Sequence, residues 1–409
     1  TYVELRRLGA GVRVVNVGGG LAVDYDGSAS PTLSSKNYSM KDYAEDIVWR
    51  LKDVCERAGE PAPTIYSESG RAMTAFSSLL VTDVVGSRRF ASDPDLPTIR
   101  RHLAAQSSGG RAPGDRASGK KADTPASIDE LVDAFERVTV LGQAAGAALT
   151  DPDDLLNEVT GILHDASQAR DEAVKLYQLG YLSLTMRAAA ERLYWAVGRR
   201  VLAQAELACA TSGEPLPTEL AGLPPQLADI LFCNFSVFQS LPDHWAIRQI
   251  FPVAPIHRLD EKPTRRATLA DMSCDSDGRV DRFPSLGNEA YHETLPVHEG
   301  REGEVYYLGV FLVGAYQEVL GDLHNLFGDT HVVHVSLDDE GRWRIDELIE
   351  GDTVRNVLEY VQHNPAEMKR VLRRDAEAAM RAGRLTTGEG RQLLSFCESG
   401  LDGYTYLEE

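Results

Sequence analysis

A short apolar strand at residues 14–17 runs directly into three consecutive glycines, Gly18, Gly19 and Gly20. Residues without a side chain allow backbone N–H groups to close around an anion, and α/β proteins bind phosphate at a strand end in this way. A tight turn between a strand and a helix uses the same residue type. The segment therefore predicts an α/β fold. It leaves two interpretations of the glycines open, a phosphate-binding loop and a simple turn.

The composition is typical of a globular protein with two or three hydrophobic cores. The chain has 409 residues, of which 43% are hydrophobic and 7% aromatic. It contains no run of about 18 apolar residues that would cross a membrane. A net charge of −20 argues against sequence-independent binding of nucleic acid, which requires a basic surface. The five cysteines are scattered without CxxC spacing, so we expect a reducing, cytoplasmic environment without disulfides or structural zinc.

Helix and strand patterns divide the chain into six regions. Apolar positions recur at helical spacing within residues 38–59 after a capping Ser39, and a short strand, 63–67, follows. Such a strand–helix–strand unit is typical of a β/α barrel, whose ligands bind where the strands end. Residues 105–127 are rich in Gly, Ser and Pro and predict a disordered linker. The predicted regions are part of a barrel (1–72), the first strand of a β-domain (73–92), the linker (93–127), an inserted helical bundle (128–215), an antiparallel β-domain (216–345) and a C-terminal helical region (346–409).

The second strand of this unit ends at a charged cluster, Glu68-Ser69-Gly70-Arg71. The guanidinium fork of Arg71 can donate two hydrogen bonds to one anion while the backbone at Gly70 approaches it closely, which suits a phosphate. The Glu68 carboxylate then requires a different cationic partner, and a protonated ring nitrogen would serve. A surface ion pair is the alternative explanation of this cluster.

Three further groups carry chemistry. Cys274 is followed by Asp275 and Asp277 after a predicted strand, and a thiol beside two acids can supply a proton donor and a site for a guanidinium or ammonium group. A turn rich in Asp and Gly is the alternative.

Tyr316 closes a predicted strand, where its hydroxyl could bind a phosphate or its ring could simply pack. His298 has no second histidine at helical spacing, so we do not expect a metal site there.

Together these motifs resemble the ordered motif set of the pyridoxal-phosphate-dependent group IV decarboxylases. The set comprises residues 17–21 with 24–27, residues 67–71, residues 274–278 and residues 314–316. The likeness is greatest to the biosynthetic arginine decarboxylases. Further segments resemble that subfamily: residues 179–183, 193–195, 234–243, 255–259 and 404–409. The resemblance covers nearly the whole chain apart from the linker.

The resemblance implies an α/β plus β fold: the end of a pyridoxal-phosphate-binding (β/α)8 barrel, an antiparallel β-domain interrupted by a helical bundle, and a C-terminal helical tail. It implies decarboxylation of L-arginine to agmatine for polyamine biosynthesis, with pyridoxal phosphate and Mg2+ as cofactors. It also implies a homodimer, or a higher homo-oligomer, whose subunits share active sites.

Roles for individual residues follow from the same resemblance. Cys274 would return a proton to the substrate carbon after carbon dioxide leaves, and Glu68 would hold the protonated ring nitrogen of the cofactor. The residues expected to bind the cofactor are Gly18, Gly19, Gly20, Glu68, Gly70, Arg71 and Tyr316. Those expected to bind the substrate are Asp275, Asp277, Val15, Asn16, Val17, Leu21, Asp24 and Tyr25.

Two departures from the family pattern shape the expectations. No lysine of the chain stands at a strand end where the Schiff-base lysine is required, so we expect a C-terminal fragment of a longer protein, inactive by itself. Phe235 stands where ornithine decarboxylases place an aspartate, which would fit a longer substrate than ornithine. The alternatives are another group IV decarboxylase, acting on ornithine or diaminopimelate, and an inactive relative that serves as a binding protein.

Overall fold

The computed structural model describes residues 1–32, 34–89, 93–107, 126–144, 151–285 and 291–408. The chain divides into two compact units. One joins Thr1–Ser87 with Ile230–Glu409, and the other is Arg88–Asp229. The second unit is therefore an insertion in the sequence of the first. Of the helices within the described ranges, none is long and apolar enough to span a membrane.

The first part of the chain forms the predicted strand–helix–strand unit and leads into a long strand. Its elements are α1 (Tyr2–Arg7), β1 (Val14–Asn16), α2 (Met40–Ala58), β2 (Thr64–Tyr66), α3 (Gly70–Thr74) and β3 (Leu79–Arg88). Strands β1 and β2 pair in parallel, with Val15 opposite Ile65. Ser39 and Asp42 form a capping box that satisfies free N–H groups at the start of α2. The helix ends at Gly59, whose left-handed backbone (φ 70°) favours glycine.

The inserted unit is a helical bundle, as predicted. Its elements are α4 (Leu96–Ser107), α5 (Ala126–Ala144), α6 (Pro152–Gln178), α7 (Leu184–Ser212) and α8 (Leu223–Leu227). Helices α5, α6 and α7 bury apolar side chains in one common core, in which Leu131, Ile162 and Leu193 are each 0% exposed. Because apolar burial is the dominant favourable contribution to folding, this core stabilises the unit.

The predicted linker, residues 93–127, is corrected over its first part, where α4 forms. Leu96, Ile99 and Leu103 recur on one face of this helix, and Ile99 and Leu103 are buried in the bundle core. An apolar stripe of this kind stabilises a helix by tertiary packing. The Gly, Ser and Pro content that indicates disorder lies in residues 105–127, so the predicted linker began too far towards the N-terminus. Residues 108–125 of the predicted linker lie outside the described residues.

The β-domain is built from both segments of the first unit. The elements that follow the bundle are β4 (Asp229–Cys233), α9 (Val237–Ser240), α10 (Pro242–Ile247), β5 (Val253–Pro255), β6 (Arg265–Ala270), β7 (Arg279–Val280), β8 (Leu295–Val297) and β9 (Tyr307–Phe311). These six strands and β3 form a seven-stranded sheet in the order β5-β9-β3-β4-β6-β7, with β8 paired to β6. Strand β9 is antiparallel to both β3 and β5. Leu269, Leu308 and Val310 lie in its core.

A hairpin and three helices complete the chain. They are β10 (Val332–Leu337), β11 (Trp343–Ile349), α11 (Val354–Tyr360), α12 (Pro365–Arg381) and α13 (Thr387–Asp402). The hairpin strands are antiparallel, with Val332 opposite Ile349. The second strand therefore continues past the predicted domain boundary at residue 345, because its pairing with β10 extends to Ile349. The C-terminal region is helical, as predicted.

Two substitutions on α7 test the bundle core. Leu193→Ala removes a side chain that is 0% exposed and is expected to lower the free energy of unfolding by about 2–5 kcal/mol, since it leaves a cavity. Leu207→Ala is the matched control, because Leu207 is 50% exposed on the same helix and should change stability by less than about 0.5 kcal/mol. Urea denaturation followed by circular dichroism measures both. Equal effects would contradict the placement of Leu193 in the core.

Candidate active site

Parallel pairing of β1 and β2 brings the glycine triplet beside the Glu68 loop. The contact continues beyond the strands, because the Val17 N–H donates to the Tyr66 carbonyl and the Glu68 N–H donates to the Gly18 carbonyl, each at 2.9 Å. The Asn16 amide donates to Glu68 Oε1 at 2.7 Å. The two motifs singled out in the sequence therefore form one continuous edge, with an oriented carboxylate at its centre.

Backbone donors of this edge are free to bind an anion. Gly18 and Gly20 have left-handed backbones, with φ of 76° and 88°, which turn the chain away from the strand. Among the residues that the structure describes, the N–H groups of Gly19, Gly20 and Gly70 donate to no acceptor. A Cβ atom added at Gly70 would lie 3.4 Å from the Tyr316 hydroxyl oxygen. Glycines, backbone N–H groups and a phenol hydroxyl thus line a cradle that suits a phosphate.

The Arg71 side chain is held by partners within the chain. Its guanidinium donates to Asp243 Oδ2 at 2.9 Å and to the Tyr25 hydroxyl at 3.0 Å, and it lies 4.9 Å from the centre of the Tyr316 ring. Burial lowers the pKa of Arg71, but the hydrogen bonds that its guanidinium donates to Tyr25 and Asp243 outweigh that effect and raise the pKa overall. Burial raises the pKa of Tyr25, which keeps its hydroxyl protonated. Arg71 therefore supports Tyr316, the residue whose hydroxyl lies beside Gly70.

Asp243 is the buried acid that fixes Arg71. It is 8% exposed, and its Oδ2 also accepts a hydrogen bond from the Gln317 amide at 2.9 Å. The Asp243 backbone N–H in turn donates to Gln317 Oε1 at 3.1 Å. A carboxylate removed from water requires such paired donors. The sequence contains no local sign of this role, because Arg71 and Gln317 are far from Asp243 along the chain.

The predicted thiol and its two acids lie on one turn, between β6 and β7. Cys274 is exposed and accepts a hydrogen bond from the Asn325 amide at 3.4 Å. Asp275 lies 3.7 Å from the His324 ring, and its carboxylate accepts the Asp277 backbone N–H at 2.9 Å. In the described part of the chain, no hydrogen bond or ion pair joins this group to Arg71 or its partners. The structure therefore presents two separate clusters within this chain.

The other predicted substrate-binding residues have mainly internal contacts. Leu21 is 6% exposed and Tyr25 is 3% exposed. Asp24 accepts hydrogen bonds from the Gly27 backbone and the Ser35 hydroxyl, which shape a loop. Val15 and Val17 are half-buried. Roles of these residues and of Asn16 in substrate binding stay predictions.

Phe235 does not face open space. It is 1% exposed and packs in the core of the β-domain. The expectation that this position fits a longer substrate than ornithine stays a prediction. Asn325, His324 and Gln317 were not predicted, because their functional neighbours are brought to them only by folding.

No metal centre is evident in the ranges that the structure describes, since no three His, Cys, Asp or Glu side chains are placed to hold an ion. His298 has partners for both ring nitrogens, the Tyr306 hydroxyl at 2.8 Å and the Glu261 carbonyl at 3.0 Å. That His298 is not a metal ligand stays a prediction. The involvement of Mg2+ stays a prediction.

Three family descriptions match separate parts of the chain. Residues 1–75 match the pyridoxal binding domain of pyridoxal-dependent decarboxylases. Residues 121–214 match the arginine decarboxylase helical bundle domain, and residues 354–407 match the arginine decarboxylase C-terminal helical extension. The predicted fold, the end of a cofactor-binding barrel with a β-domain, an inserted bundle and a helical tail, is confirmed.

Whole-chain comparisons agree with these matches. The chain is 43% identical to a biosynthetic arginine decarboxylase of Gloeobacter violaceus, covering 99% of this chain and 57% of the relative. It is 42% identical to one from Bacteroides thetaiotaomicron, covering 100% and 58%. A crystal structure of the biosynthetic arginine decarboxylase from Campylobacter jejuni has a TM-score of 0.71 and 29% identity, covering 100% and 58%. The chain thus spans less than three fifths of the length of these relatives. It belongs to the family of pyridoxal-dependent biosynthetic arginine decarboxylases.

Proposed function

We propose that the protein containing this chain decarboxylates L-arginine to agmatine and carbon dioxide, for polyamine biosynthesis. The observation that carries the proposal is the similarity of 42–43% identity, over essentially the whole chain, to biosynthetic arginine decarboxylases. The helical bundle and the C-terminal helices support it further, because both match domains named for arginine decarboxylase.

Pyridoxal phosphate is the cofactor that the cradle would hold. Its phosphate would accept hydrogen bonds from the N–H groups of Gly19, Gly20 and Gly70 and from the Tyr316 hydroxyl. These groups lie together at the edge formed by β1 and β2. Glu68, oriented by Asn16, would hold the protonated ring nitrogen. When bound, the cofactor supplies an electron sink for cleavage of the bond between the substrate carbon and its carboxylate. Arg71 acts mainly through Tyr316 in this arrangement, since Asp243 and Tyr25 already occupy its guanidinium.

The acids on the turn between β6 and β7 would bind the substrate. Asp275 and Asp277 supply the carboxylates that a guanidinium pairs with in bidentate geometry. Cys274, exposed on the same turn, would donate the proton that replaces carbon dioxide. Because the two clusters have no direct contact within one subunit, we infer that a complete site combines the cradle of one subunit with the turn of a second. We further propose a homodimer of this kind, located in the cytoplasm and assisted by Mg2+.

A decarboxylase for ornithine or diaminopimelate is the second candidate. Such an enzyme would use the same cofactor cradle, and Asp275 and Asp277 would bind a different group of the substrate. The matches of residues 121–214 and 354–407 to arginine decarboxylase domains favour arginine over these substrates. An inactive binding protein is the third candidate, and the assay below separates it from both enzymes.

The substrate assay uses the full-length protein. We expect release of agmatine from L-arginine, with kcat/KM at least about 100-fold above the values for lysine, ornithine and diaminopimelate, since these substrates leave Asp275 and Asp277 without a guanidinium to pair with. Chromatography of the amine products measures this preference. Preference for another amino acid would favour the second candidate, and no turnover of any would favour the inactive relative.

Replacing the proposed proton donor tests its role. Cys274→Ala should lower kcat by about 100-fold or more while leaving cofactor affinity unchanged, because a positioned general acid contributes on that scale. Carbon dioxide release and agmatine formation are measured together. Cys397→Ala is the control, since Cys397 lies on α13 and should keep full turnover. Full turnover in Cys274→Ala would remove this residue from the mechanism.

The cradle is tested by adding one methyl group. Gly70→Ala places a Cβ 3.4 Å from the Tyr316 hydroxyl, and we expect the affinity for pyridoxal phosphate to fall about tenfold or more because the phosphate is crowded. Gly161→Ala is the matched control, since its Cβ would meet nothing within 4 Å. Equilibrium dialysis of the full-length protein measures both affinities. Equal affinities would place the phosphate elsewhere.

A further inference from the structure

The turn that carries Cys274 has a rigid base. The Asp271 carboxylate accepts hydrogen bonds from the Ser273 backbone and hydroxyl and from the Val237 backbone, at 2.6–2.8 Å. A Cβ atom at Gly278 would lie only 2.2 Å from Asp271 Oδ1, so only glycine fits there. The turn is therefore closed tightly around Asp271. Its tip holds Cys274 at the surface in a defined position.

A second turn, residues 323–327, faces the first with an unusual backbone. Asn325 and Leu326 have φ of 58° and 60°, in the left-handed region that asparagine tolerates and leucine rarely adopts. Neighbouring aromatic rings hold this conformation. The His324 ring lies 4.2 Å from the ring of Phe238, and Phe327 stacks on Tyr406 at 5.1 Å. Strained backbone persists only where its surroundings fix it, and such places are concentrated at functional sites.

The two turns meet in a pair of matched contacts. The Asn325 amide Nδ2 donates to Cys274 Sγ at 3.4 Å. The adjacent His324 Nε2 lies 3.7 Å from Asp275 Oδ2, and this nitrogen is buried without a hydrogen-bond partner among the described residues. The strained turn thus places one nitrogen at the thiol and one at the neighbouring acid. Neither contact is recognisable from sequence spacing.

We propose that Asn325 is a positioning residue for Cys274, orienting its sulfur and stabilising the negative charge left on it when the thiol gives up its proton. An N–H group that donates to an ionised acceptor forms a stronger hydrogen bond than one that donates to a neutral acceptor. The need for it is electrostatic, because Asp275 and Asp277 on the same turn oppose a thiolate. His324, on the facing turn, lies against Asp275. The value of this contact for catalysis rests on the proposed function, whereas its effect on the thiol does not.

The test measures alkylation of Cys274 by iodoacetamide as a function of pH, with each cysteine peptide quantified by mass spectrometry. Asn325→Gly keeps the left-handed backbone and removes the amide donor. Asn325→Asp keeps the side-chain shape, removes the donor and adds a like charge. We expect the midpoint of the pH profile to rise by about 0.5–1 unit in Asn325→Gly, and further in Asn325→Asp. Below the midpoint, alkylation should slow by about threefold to tenfold.

Controls are available within the same chain. Peptides with Cys209 and Cys397 should react at unchanged rates in both variants, which excludes general unfolding. Asn157→Ala, at an exposed position of α6, should leave the Cys274 profile unchanged. An identical Cys274 profile in wild type, Asn325→Gly and Asn325→Asp would overturn the inference. Failure of the full-length protein to release agmatine would instead overturn the proposed function, so the two outcomes are distinguishable.

Discussion

The ion pair between Arg71 and Asp243 joins the parts of the first unit on which the candidate site depends. The two residues are separated by 172 positions in the sequence, and their side chains are only 25% and 11% exposed. Loss of one partner from a buried pair leaves the other charge without compensation, at a cost of about 3–5 kcal/mol when burial is complete. The pair therefore ties α3, which follows β2, to α10. Through Gln317 and Tyr316 it also reaches the segment after β9.

This arrangement explains why residues of the site have left-handed backbone conformations, which residues other than glycine rarely adopt. Tyr316 has a φ of 71°, an unfavourable value for an aromatic residue, and it is held there by the Arg71 guanidinium against its ring. The turn with Asn325 and Leu326 has the same character. In both places the packing around the turn fixes a side chain to which the proposed function gives a role, Tyr316 towards the cofactor and Asn325 towards the thiol. Local preference is overruled where chemistry requires a particular direction.

Much of the fold could be predicted from local patterns. The capping box at Ser39, the strands on either side of α2 and the three long helices of the bundle all follow from periodicity and capping, which depend on neighbours in the sequence. Helix α4 was missed because Ile99 and Leu103 form a helix by packing against the bundle, and Gly and Ser residues follow directly. The burial of Phe235 in the core of the β-domain could likewise not be predicted from the sequence, because it depends on packing between distant segments.

The sequence by itself determined the chemical groups at the candidate site: glycines after two strands, a carboxylate and guanidinium beside one of them, and a thiol next to two acids. Hydrogen-bonding capacity and charge belong to residue types, so they can be read without a structure. Only the tertiary structure decided which groups meet. Arg71 is held by Asp243 rather than left free for an anion, and Cys274 is paired with Asn325. These pairings depend on contacts between distant segments, which no local pattern encodes.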